Sequence, residues 1–106
     1  MVLLLALLSI QLTLTELIQQ QDYAAAVQYC HQQLNRKPDD RLIIHNLARV
    51  FARWHRFDSS LYWWEKALKI NPNDDSAIVG RWQTLYELNK NDPSRIDSIR
   101  LLIKTE

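Results

Sequence analysis

The feature that most constrains this chain is a recurrence at one fixed interval. Tyr23 and Phe57, Ala26 and Ser60, Leu34 and Leu68, Pro38 and Pro72, and Asp40 and Asp74 are all equally spaced pairs. A fixed period of about 34 residues fits an array of small helical units, each stacked on its neighbours to bury an apolar face it cannot bury alone. One Gly and three Pro in 106 residues leave few places for tight turns, so long helices joined by short loops fit best. Long alternating strand patterns bounded by Gly or Asn-Gly turns do not occur in the sequence. The expectation is an all-α chain forming one domain with a single modest core.

Start and stop signals place about six helices in three antiparallel pairs. The first runs from near Val2 to Gln20, with Ile10, Leu14, Leu17 and Ile18 at helical spacing. Asp22 can cap a second from Tyr23 to about Asn35, ended by Lys37-Pro38. Asp39 or Asp40 caps a third from Arg41 to His55, whose apolar stripe is Ile44, Leu47, Ala48, Phe51 and Trp54. Asp58 or Ser59 begins a fourth, with Leu61, Trp64, Ala67 and Leu68 packed and Trp63 half exposed. Asn73, Asp74 or Asp75 caps a fifth, with a stripe of Ile78, Trp82 and Leu85. Asp92-Pro93 is an N-cap followed by Pro at the first helical position, and opens a sixth carrying Ile96, Ile99, Leu102 and Ile103.

The apolar run from Val2 to Leu8 has no polar face, so it needs burial on more than one side. Three readings stay open for it: a buried helix, a membrane anchor, or a cleaved signal. No Lys or Arg occurs before Arg36, so a positive leader region is missing. Gln11, Thr13, Thr15 and Glu16 interrupt the run at about half the ~20 residues a span requires. Leu3, Leu4, Leu7 and Leu8 are therefore candidates for an exposed contact surface, met by a second copy, a partner or a lipid surface. Tyr62 and Trp63 are a second candidate surface, since adjacent residues on a helix diverge by about 100°.

Composition excludes several classes of function. A formal net charge of +1 argues against a strongly basic nucleic-acid binder. RNA binding through Arg49, Arg53, Arg56 and nearby Trp residues ranks last for that reason. Cys30 and His31 are adjacent, and diverge too far on a helix to act as nucleophile and base. His31, His45 and His55 lack metal-ligand spacing, and no Gly-rich phosphate loop exists. No enzyme activity and no cofactor are expected. The single Cys30 cannot form an internal disulfide, and a reducing cytoplasm is the expected setting.

The pattern resembles the tetratricopeptide repeat, a helix-turn-helix unit of about 34 residues. Residues 41–74 match best. Leu47-Ala48 stands where the family has Leu and a small residue, and Phe51 stands where it has an aromatic. Phe57 follows the turn, Ser60 and Ala67 fill small positions, Trp64 replaces an aromatic, Pro72 closes the unit, and His55 replaces a turn Gly. Residues 7–40 match through Tyr23, Ala26, Cys30, Leu34 and Pro38, and residues 75–106 read as a degenerate third unit or cap. The resemblance implies helix pairs stacked as a short right-handed superhelix whose first helices line a concave groove. It also implies a protein-interaction scaffold that binds a peptide or partner helix, and the surplus apolar surface at Val2 to Leu8 leads us to expect self-association through the N-terminal helix.

On that pattern His45, Asn46, Arg49 and Arg53 lie at the groove. Arg49 and Arg53 are one turn apart on one face, and a guanidinium fork binds both oxygens of a carboxylate. An acidic segment or a free C-terminus is the expected ligand. A membrane-tethered assembly factor anchored by residues 1–18 is the alternative.

Overall fold

The computed structural model describes residues 13–90, and every regular element among them is helical. The first, α1, occupies residues 13–19. It is followed by α2 (Tyr23–Arg36), α3 (Arg41–Arg53), α4 (Phe57–Ile70) and α5 (Asp75–Asn89). Helices joined by loops this short must reverse direction at each step. In order, α2 packs on α3, α3 on α4 and α4 on α5, while α3 also touches α5 directly. The expected sixth helix and the apolar run from Val2 to Leu8 lie outside the described residues.

The period seen in the sequence is written into the backbone. Each of the seven turn and cap hydrogen bonds donated between Gln20 and Ile44 has a counterpart one period later, between Trp54 and Ile78. Two turns show this best. The Asp22 N–H donates to the Leu17 carbonyl as the Arg56 N–H does to that of Phe51, and Gln21 donates to Ile18 as His55 does to Ala52. This double closure is a Schellman ending, which needs a left-handed residue after the helix. Gln21 and His55 supply it at φ 59° and 58°, without a glycine.

Aspartates start three of the helices. Asp22 accepts from the Ala25 N–H, Asp40 from Leu42 and Ile43, and Asp74 from Ala77. A cap of this kind contributes about 1 kcal/mol. The start expected for α4 at Asp58 or Ser59 is corrected. The helix begins at Phe57 after Arg56, with no side-chain cap, because the preceding Schellman turn already orients the chain.

The core forms where α2, α3 and α4 meet. Ile44, Leu47, Ala48 and Val50 of α3 are fully or almost fully buried, with Ala26 and Cys30 of α2 and Ala67 of α4. A fully buried side chain the size of Ile44 or Leu47 contributes roughly 1.5–3 kcal/mol. Ser60 sits among them and donates to the Ala48 carbonyl at 2.7 Å, so its hydroxyl is satisfied.

Helix α5 packs differently from its apolar stripe. The buried face is Ala77, Gly80 and Thr84, whereas Ile78, Trp82 and Leu85 are only half-buried. The cause is Trp64 of α4, whose indole lies against the α5 backbone at Gly80. A large ring on one helix demands small residues on the next.

Candidate functional site

With α4 and Trp64 as a wedge behind them, α3 and α5 leave an open groove of about 970 Å³. Arg49, Ala52 and Arg53 line it from α3, and Ser76, Val79, Gln83 and Tyr86 line it from α5. Trp64 and Gly80 line it between the two walls.

The walls differ in chemistry. Arg49 and Arg53 are exposed, and among the described residues no carboxylate lies within ion-pair distance of either. The Arg49 guanidinium stands 5.9 Å from the Trp64 ring centroid, a contact that steers the cation without neutralising it. On α5, Val79 and Tyr86 are 46% and 54% exposed. Asp75 and Glu87 also border the groove, but Lys90 holds Glu87 in a 2.8 Å ion pair.

The expectation that His45 lies at the groove is corrected. Its side chain is buried, with Nε2 2.6 Å from Asp74 Oδ2 and its ring 5.5 Å from that of Trp64. A buried histidine keeps its polar nitrogens only by finding a partner. Asp74 is equally buried, and the guanidinium of Arg41 is 3.8 Å away. Burial alone would raise the Asp74 carboxyl pKa, but the hydrogen bonds from His45 and the Ala77 N–H, with the charges of His45 and Arg41, hold it below its ordinary value. His45 therefore supports the groove from beneath. Asn46, one turn before Arg49 on α3, is half-buried and is not among the residues that line the groove.

Trp63 is a second correction. It is buried in the core with Cys30 and Leu34, its ring 5.5 Å edge-on from His31 of α2. Adjacent tryptophans both turn inward because α4 has neighbours on two sides, with Trp63 facing α2 and Trp64 facing α5. Only Tyr62 of the Tyr62–Trp63 pair is exposed, at 59%. Leu3, Leu4, Leu7 and Leu8 lie outside the described residues. Cys30 is buried, and burial pushes its thiol pKa up to about 11, so it is protonated and shielded near neutral pH. Among the described residues no group of three or more His, Cys, Asp or Glu could hold a metal ion, and no helix is long and apolar enough to cross a membrane.

Sequence reasoning misses the α5 wall, although a signal exists. Shifting Arg49 and Arg53 by one period lands on Gln83 and Glu87, both at the groove. The described residues define an all-α arrangement whose helix turns repeat in geometry and which borders an open groove with a basic α3 wall. No protein-family model matches the chain, and no curated protein matches it.

Proposed function

We propose that this chain is a non-catalytic protein-interaction module of the tetratricopeptide type, holding an acidic peptide or partner helix in the groove between α3 and α5. The observation that carries the reading is the exposed Arg49 and Arg53 pair, unneutralised among the described residues and set along a groove of about 970 Å³. Cations left open in a concavity bordered by apolar side chains favour a carboxylate-bearing ligand over water. The recurrence of the turn hydrogen bonds at the period of the sequence supports a repeat scaffold.

A pull-down with the full chain and with Arg49→Glu/Arg53→Glu tests this. The reading expects one specific partner to disappear on charge reversal, and an unchanged set of partners overturns it. The apolar run Val2–Leu8 is the proposed self-association surface. Light scattering on the intact chain checks it, and the mass of a single chain refutes it. A cytoplasmic setting goes with this reading, since a lone buried thiol suits a reducing compartment.

A further inference from the structure

Resting on that reading, we propose that the groove selects an extended segment in which acidic and apolar residues alternate. The acidic side chains turn to Arg49 and Arg53 of α3, and the apolar ones turn to Val79 and Tyr86 of α5.

The argument begins with the two walls. One offers two exposed guanidiniums and the other offers two exposed apolar side chains with Gln83 between them. A ligand between unlike walls must present unlike faces. An extended chain does so at every second residue, because successive side chains point to opposite sides.

The spacing agrees. Arg49 and Arg53 are separated by about 6 Å of helix rise. Residues i and i+2 of an extended chain are about 6.6–6.8 Å apart, so two acids flanking one apolar residue meet both cations. Gln83 has donors and an acceptor for the ligand backbone that runs past it.

Charge sets the direction. Asp75 lies at the N-terminal end of the α5 wall and Glu87 is occupied by Lys90. Acidic residues are therefore repelled from the start of α5 and drawn toward the C-terminal end of α3.

The test selects random 12-residue peptides displayed on phage against the immobilised full chain. Enriched sequences are then synthesised with amidated C-termini, and their binding is followed by fluorescence anisotropy. The expected result is enrichment of acids at i and i+2 around an apolar residue. Binding should weaken at least about tenfold in Arg49→Glu/Arg53→Glu and about threefold or more in Tyr86→Ala. Peptides that need both arginines but carry acids at i and i+4, or only at a free C-terminus, overturn the alternation and leave the interaction reading standing. Peptides indifferent to the arginine reversal, or no enrichment at all, overturn the groove reading itself.

Discussion

The indole of Trp64 occupies the place where any side chain at position 80 would begin. A Cβ built on Gly80 would stand 2.6 Å from both Cδ2 and Cζ2 of the ring, and nearer still to Cε2. The glycine is thus required by packing, since its backbone is ordinary helix with no positive φ.

Gly80→Ala should destabilise the protein by about 1–3 kcal/mol through overpacking, despite alanine's higher helix propensity. Urea unfolding followed by circular dichroism measures this. Adding Trp64→Leu should recover part of the loss, because the two substitutions act on one contact. A neutral or stabilising Gly80→Ala would show that the ring moves aside freely.

The His45–Asp74 pair makes stability depend on acid. Asp74 titrates below its ordinary 3.8 in the folded chain. Its contribution is therefore present above that value and lost as pH falls through the lower, folded value. Asp74→Asn should be less stable than the native chain at pH 7, and the gap should close as the pH is taken below about 4. Denaturation at stepped pH checks this, and a constant gap from pH 7 to pH 3 contradicts it. His45→Ala should cost about 1–3 kcal/mol at neutral pH by leaving a buried carboxylate short of a donor.

Gln21 and His55 both hold left-handed backbone that favours glycine. Gln21→Gly should stabilise by about 0.5–1 kcal/mol. His55→Gly should gain less, because it gives up a ring stacked 5.6 Å from Phe57. Thermal melts of the two variants would show the ordering, and a destabilised Gln21→Gly rejects the account.

Cys30 should resist alkylation until the fold opens. It is fully buried with its thiol pushed up to about 11, and the thiolate is the reactive form. Labelling rates with an aromatic disulfide reagent should follow unfolding as urea is raised. Rapid labelling in native buffer would count against this packing.

The period, the helix order and three aspartate caps are legible in the sequence because turns and caps depend on local residue types at fixed spacing. What escapes is set by contacts between distant segments. His45 lies beside Ile44 on α3, and only its bond to Asp74, 29 residues on, explains its burial. The packed face of α5 is small, so a count of bulky residues points to Ile78, Trp82 and Leu85 instead of Ala77, Gly80 and Thr84. Trp63 reads as half exposed if α4 has one packed face, whereas it has two. Arg49 and Arg53 fall on the exposed side of α3 as the sequence implies, but the wall they face comes from a helix one full period further along the chain.

Asp74 uses its two oxygens for different purposes. Oδ1 accepts from the Ala77 N–H at the start of α5, and Oδ2 reaches His45 and Arg41 on α3. In a linear array, stability is usually divided into a term for each unit and a term for each junction. Here one carboxylate enters both, so a substitution at Asp74 weakens the start of α5 and its junction with α3 together.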